Sequence, residues 1–219
     1  MRKGRMFFNI IIIITIIALI GVGGYAAYYY INRYTAVKEA EEAVDEFEER
    51  VLVVALEDEK QEEEQQKEEP EQLAEPTTTT RRTTSTTTYR GYSMIGTIQI
   101  PKTRVKAPIV DKVTVNSISA AVATLYGPGL NQVGNTVLVA HNYRNGTFFS
   151  NNKNLVVGDK IYITDQTGQK VEYYVTKTYI TGEEDFDYAV RDTGGKREIS
   201  LSTCTTDPTK RLVIWARES

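Results

Sequence analysis

The chain of 219 residues holds a single cysteine, a single histidine and a single tryptophan. One thiol and one imidazole cannot build a disulfide framework or a Cys/His zinc centre, so both are excluded. The Gly-x-Ser-x-Gly elbow of a serine hydrolase is missing, and so is any Gly-rich phosphate loop. Excess charge is missing too. The 26 Lys and Arg stand against 29 Asp and Glu, a formal charge of −3, which excludes a nucleic-acid binder built on a strongly basic surface. The 41% hydrophobic and 25% charged residues are near globular averages and exclude wholesale disorder.

The near-neutral balance conceals three unlike segments. Residues 1–37 carry four basic and no acidic side chains, residues 38–75 four basic and seventeen acidic, and residues 76–219 eighteen basic and twelve acidic. The first segment contains 27 uncharged residues, Met6 to Asn32, around the run Ile10–Ile20. About 20 apolar residues suffice to cross a bilayer as a helix. Tyr25, Tyr28, Tyr29 and Tyr30 cluster where aromatic rings favour the headgroup level, and Arg2, Lys3 and Arg5 precede the run. The expectation is a single-pass anchor over residues 1–33, with the N-terminus cytoplasmic and the remainder extracellular. A cleaved signal peptide fits less well, because the apolar run is long and Gly24-Tyr25-Ala26 is a poor cleavage site.

Residues 34–75 read as an acidic stalk. Val37, Ala40, Val44, Phe47, Val51 and Val54 are spaced 3, 4, 3, 4, 3, an a/d seam of some two and a half heptads. That is shorter than a coiled coil demands, so it predicts a helix with at most weak self-association through residues 37–54. Residues 57–71 have no apolar side chain to bury and read as a solvated helix or a disordered run. Residues 76–89 are Thr-rich and read as a linker. A domain is then expected over residues 90–219.

That domain reads as all-β with short helices. Period-2 and β-rich runs at 94–100, 104–110, 135–141, 160–165, 170–181, 198–204 and 211–217 are separated by turn signals such as Gly127-Pro128-Gly129, Asn145-Gly146 and Asp207-Pro208. Residues 117–125 suit a short helix with Ser117 as its N-cap. Seven or eight short antiparallel strands predict a closed barrel, in which the long run 170–181 pairs with both neighbours.

Three residues able to do chemistry fall at strand ends. Cys204 closes one strand, His141 closes another, and Arg211 opens the strand after the turn that follows Cys204. A hairpin of that length sets Cys204 and Arg211 on adjacent strands. Taken singly, each has a plainer reading: a small buried hydrophobe, a surface or core imidazole, a solvated cation. In an exported chain, however, a lone thiol has no disulfide partner. Together the three suit acyl transfer. A thiolate attacks a carbonyl, an imidazole moves protons, and a guanidinium stabilises the oxyanion or holds a substrate carbonyl.

The run YGPGLNQVGNTVLVAHNYRNGTFFSN around His141, the LSTC of residues 201–204 and the RLVIWAR of residues 211–217 resemble the sortase family. The segment GTIQIPKTRVKAPIV, residues 96–110, is similar to that family's opening strand pair, and the resemblance spans about residues 94–217. It implies a closed eight-stranded sortase-like barrel with Cys204 as nucleophile, His141 as general acid/base and Arg211 as oxyanion or substrate stabiliser. Ser202 and Thr203 become candidates for substrate contact. The implied activity is cysteine transpeptidation in a Gram-positive bacterium, without cofactor. An LPxTG-like sorting signal of an exported surface protein is cleaved after Thr, held as a thioester, and passed to an amine such as that of a peptidoglycan precursor.

Two positions depart from the family pattern: Ala140 stands where Gly usually precedes the His, and Ser200 where Thr usually stands. No Asp-Pro-aromatic lid is seen ahead of the barrel, which counts against a pilus-assembling member; a housekeeping class stays open beside the preferred class D-like one. Some members bind calcium. Here Glu183, Glu184, Asp185 and Asp187 are the candidates and a solvated acidic loop the plainer reading. The rival functions are a cysteine peptidase that gives its thioester to water, and a non-catalytic surface binding module.

Overall fold

The computed structural model describes residues 2–67 and 87–219, and the chain divides into two compact units, one up to Glu39 and one from Ala40 onward. The expected end of the stalk and most of the Thr-rich linker, residues 68–86, lie outside the described residues.

The first unit belongs to helix α1 (Arg2–Lys67). The helix is long and apolar enough to cross a membrane, with a mean hydropathy of 2.6 in its most apolar window. The Thr15 hydroxyl donates to the Ile11 carbonyl at 2.9 Å, so the one hydroxyl inside the isoleucine run is satisfied by the helix itself.

The second unit is built on nine strands among the described residues: β1 (Thr87–Tyr89), β2 (Tyr92–Ile100), β3 (Val105–Val110), β4 (Val122–Tyr126), β5 (Gly134–Val139), β6 (Lys160–Asp165), β7 (Lys170–Gly182), β8 (Arg197–Cys204) and β9 (Lys210–Glu218). Their order is β2-β3-β4-β5-β8-β9-β7-β6, and β6 pairs back onto β2. Eight strands therefore close into a barrel, and β1 flanks the first half of β2. As expected, β7 pairs with both β6 and β9. Closure brings β2 and β6 unusually near. A Cβ on Gly96 would stand 2.4 Å from the Thr164 carbonyl oxygen, so only glycine fits there.

Inward residues of successive strands fill the barrel, among them Ile98, Ile109, Leu138, Ile163, Tyr173, Leu201 and Ile214. The outer faces of β5 and β9 are covered as well. Val137 and Val213 pack beneath Tyr188 and Ala189 of the β7–β8 loop. These strands are apolar on both sides, hence their nearly unbroken runs of hydrophobic residues.

Three expectations are corrected. The strands are not all antiparallel: β3–β4 and β5–β8 are parallel, the first pair joined by a crossover rather than a hairpin and the second separated in sequence by β6 and β7. The helix expected over 117–125 ends early. Helix α2 (Ser117–Ala120) gives way to β4, because Val122 and Ala123 are fully buried between β3 and β5, and burial overrides local helix propensity. Nor is Ser117 the N-cap; Asn116 stands there. Ser117 Oγ accepts from the Thr114 N–H, and Thr114 Oγ1 accepts from the Ser117 N–H.

The seam of the stalk finds its partner within the chain. Ala40, Val44 and Phe47 are buried, and Phe47 joins Tyr89, Met94, Val110, Ala121 and Ala123 in a second core on the barrel's outer surface. The Glu48 carboxylate accepts from Thr97 at 2.8 Å and from Gln99 at 3.0 Å, and Asp45 pairs with Lys106. Val51 is half-buried and Val54 exposed, so the seam ends about a turn sooner than its spacing suggests. Residues 40–51 of α1 thus belong to the second unit, where this stretch of the seam packs on the barrel.

Candidate active site

Strand β8 lies between β5 and β9. Its last residue is Cys204, which pairs in register with Arg211 on β9, as the short return between them predicted. Directly paired residues of an antiparallel ladder project from the same face, with Cβ atoms about 4.5–5.5 Å apart. On the other side β5 runs parallel to β8, with Val139 opposite Ser202. Two residues further, His141 is carried toward Cys204. The chain there has left the strand, which ends at Val139, and side chains hold it instead. Thr203 Oγ1 donates to the Ala140 carbonyl at 2.7 Å. The Asn142 amide donates to the Cys204 carbonyl at 2.9 Å. The Phe149 N–H donates to the His141 carbonyl at 3.3 Å.

Both flanking turns are fastened. Arg144 donates to the Thr206 carbonyl at 2.9 Å, tying the β5 exit to the β8–β9 turn. In that turn Asp207 accepts from the Thr209 N–H at 2.9 Å. Cys204 is half-buried and its thiol is free. A cleft of about 330 Å³ opens at it, walled by Asn142, Phe149, Ile180, Thr205 and Leu212 among others. His141 and Arg211 flank this cleft rather than forming its wall. Burial holds the His141 imidazole below its ordinary value of 6.5, so it rests neutral at physiological pH and able to accept a proton. Its ring packs against Tyr143, centroids 4.9 Å apart.

Arg211 is firmly held. Its Nη1 donates to the carbonyls of Pro208 at 2.6 Å and Lys210 at 3.2 Å, and its Nη2 to the Glu183 carboxylate at 3.1 Å. Glu183 is therefore an anionic partner of the guanidinium. Elsewhere in that loop Asp185 accepts from the Thr181 hydroxyl and from the Asp187 N–H, which holds its carboxyl below the usual range. Among the described residues no three His, Cys, Asp or Glu side chains converge as metal ligands do, Glu184 and Asp187 included.

Ser202 and Thr203, expected as substrate contacts, are buried. Ser202 Oγ lies 3.3 Å from the Tyr188 hydroxyl, and the Thr203 hydroxyl is engaged by Ala140. Neither belongs to the cleft wall; the Thr203 hydroxyl instead holds the backbone just before His141.

Sequence reasoning passed over Asn142, whose short amide at i+1 from a candidate His is the signal that could have found it. It also passed over the latch beneath the β7–β8 loop. There Asn135 donates to the carbonyls of Tyr188 and Ala189, both at 3.0 Å, and accepts from Ser200 at 2.9 Å. Buried Glu198 pairs with Arg191 and with Arg217. The Arg191 guanidinium lies 4.3 Å over the Trp215 ring, and burial lowers its pKa to about 10.

The family model for the sortase domain matches residues 98–219. The chain is 33% identical over 125 residues to Sortase A of Bacillus anthracis, a stretch that takes in 55% of this chain and 58% of that one; it thus spans little more than half the length of that curated relative. Sortase A from Corynebacterium diphtheriae, as a lid mutant, superposes with a TM-score of 0.54 at 28% identity, covering 58% of this chain and 71% of that one. The pilus-related Sortase C of Group B Streptococcus does so with a TM-score of 0.53 at 29% identity, covering 57% and 67%. Likeness to sortases A and C alike selects no subclass. A match to the family model over more than half of its residues, on a barrel of the same fold, makes this chain a member of the sortase family.

Proposed function

We propose that this chain is a membrane-anchored cysteine transpeptidase. It cleaves an LPxTG-like sorting signal after Thr, holds the acyl fragment as a thioester on Cys204 and transfers it to an amine of a cell-wall precursor. The observation that carries the reading is the convergence of three strand ends: Cys204 in register with Arg211, and His141 brought alongside by the parallel β5–β8 pairing.

In the first half-reaction the neutral His141 takes the Cys204 proton as sulfur attacks the scissile carbonyl. The oxyanion that forms is stabilised by the Arg211 cation. The tetrahedral species collapses, the C–N bond breaks, and the imidazolium gives its proton to the departing amine. In the second, the acceptor amine attacks the thioester, His141 removes the excess proton, and the thiol is restored. No electrons change hands and no cofactor is called for. The uncharged run Met6–Asn32 behind Arg2, Lys3 and Arg5 supports a single-pass anchor with the barrel on the extracellular side.

The test is to incubate the full chain in detergent micelles with LPxTG-like peptides and triglycine, with Cys204→Ala alongside, and to read products by mass spectrometry. Peptide cut after Thr and joined to triglycine, only where Cys204 is present, is the expected result. Cleavage without ligation makes the protein a peptidase. A folded protein that consumes no peptide is a binding module.

A further inference from the structure

The hairpin of β8 and β9 supplies both nucleophile and guanidinium, but the guanidinium is not held by that hairpin alone. Glu183 follows the last residue of β7, and its N–H donates to the Thr209 carbonyl at 3.0 Å, continuing the β7–β9 ladder by one step. The turn after it is fixed by the Asp185 N–H on the Gly182 carbonyl at 3.3 Å and by the Thr181 hydroxyl on Asp185. The Glu183 carboxylate is thereby presented to Arg211 from a rigid corner. Across the three strands run Cys204, Arg211 and Thr181, each paired with the next. Arg211 accordingly stands between the thiol on one side and Glu183 on the other.

We propose that Glu183 is the positioning residue for Arg211, an inference that deepens the transpeptidase reading and rests on it. The Pro208 and Lys210 carbonyls hold one terminal nitrogen of the guanidinium; Glu183 holds the other. Among the described residues Arg211 Nε has no acceptor, which leaves that edge of the fork for the substrate. With side chains 26% and 41% exposed, this ion pair adds little to stability. Its consequence is geometric: the cation is oriented before substrate arrives, so no reorganisation is needed when the oxyanion forms. Glu183 also neutralises Arg211 toward the thiol, which lowers the attraction of Cys204 for anionic reagents.

Two readouts test this on the full chain in micelles. In peptide turnover, Glu183→Ala is expected to lower kcat about ten- to a hundredfold with peptide KM unchanged. Glu183→Gln, which keeps an acceptor oxygen, recovers part of the loss. In an Arg211→Ala background Glu183→Ala lowers kcat no further. A parent-like kcat, a loss confined to KM, or an undiminished loss without Arg211 overturns the proposal. The second readout needs no substrate turnover: the ratio of Cys204 alkylation rates by iodoacetate and iodoacetamide. In water a unit charge changes the local concentration of an anion about 7 Å from it roughly threefold. Glu183→Ala and Glu183→Gln are therefore expected to raise the ratio about threefold when Arg211 is present, and by clearly less in Arg211→Ala, where the carboxylate, already 41% exposed, is no longer held beside the site and is screened by water. A ratio that does not move, or that moves equally with and without Arg211, overturns the coupling. If the unsubstituted protein consumes no peptide, the transpeptidase reading falls, and the alkylation ratio still decides for or against the Glu183–Arg211 coupling.

Discussion

Replacing Phe47 by alanine tests whether α1 belongs to the barrel unit or merely leads to it. Phe47 is 1% exposed and packs with Met94, Val110 and Ala121. Truncating a ring in such a site costs about 3–5 kcal/mol, part lost transfer energy and part the cavity left behind. With a urea dependence of about 2 kcal/mol per molar, the unfolding midpoint falls by roughly 1.5–2.5 M. The single tryptophan, Trp215 on β9, makes a clean probe, because its fluorescence reports the barrel and not the helix that carries the substitution. Val54→Ala serves as control: that side chain is 38% exposed, and its loss costs under about 0.5 kcal/mol. A Phe47→Ala midpoint within about 0.3 M of the parent, or equal shifts for both variants, would refute the docking of α1 on the barrel.

Three further outcomes are expected. Because burial holds His141 below 6.5, the unfolded chain takes up its proton first as the pH falls; stability present above pH 6.5 is lost below it, and an NMR titration of the imidazole with its midpoint at or above 6.5 contradicts this. Gly96→Ala puts a methyl 2.4 Å from the Thr164 oxygen and 2.5 Å from Leu130 Cδ1, at a cost of about 1–3 kcal/mol; an unchanged urea midpoint shows that the β2–β6 seam is looser than described. Thr203→Val leaves the buried Ala140 carbonyl without its donor, costing about 1–3 kcal/mol, and shifts the backbone that carries His141, so kcat drops while peptide KM holds; a variant that alters only KM would return Thr203 to substrate binding.

The strands were legible because alternation and turn chemistry are local. β6 appears with the ends its sequence suggests, and the Cys204–Arg211 pairing followed from the length of one return. β4 was hidden, because an Ala-rich stretch reads as helix until both its faces are buried. The parallel β5–β8 pair was hidden because nothing local encodes which distant strand will lie alongside. The stalk seam is instructive in a different way. A 3-4 spacing marks one apolar face, and that face looks the same whether it meets a second helix or a barrel of its own chain. The acidic loop shows the same limit: four carboxylates in five residues read as a solvated loop or a cation site, and the partner that one of them meets is Arg211, 28 residues away. Cys204 and His141 could be named from the family resemblance, but not the bonds through Thr203 and Asn142 that align them, since these depend on register.

In the strand order β8 and β9 are wedged between β5 and β7, although they are the last of the nine in sequence. A chain synthesised only through Gly182 has already made β5 and β7, with their facing edges open and a gap two strands wide. Until the final hairpin inserts, those edges are unpaired templates for another chain, and closure waits on contacts far apart in sequence, the slow kind to form. The inserting hairpin also carries both the thiol and the guanidinium. The same event that seals the barrel therefore pairs Cys204 with Arg211, and under the proposed function a chain cut short of β8 is both sticky and inert. Completion of folding would then be a checkpoint on reactivity, written into the strand order rather than into any loop or lid.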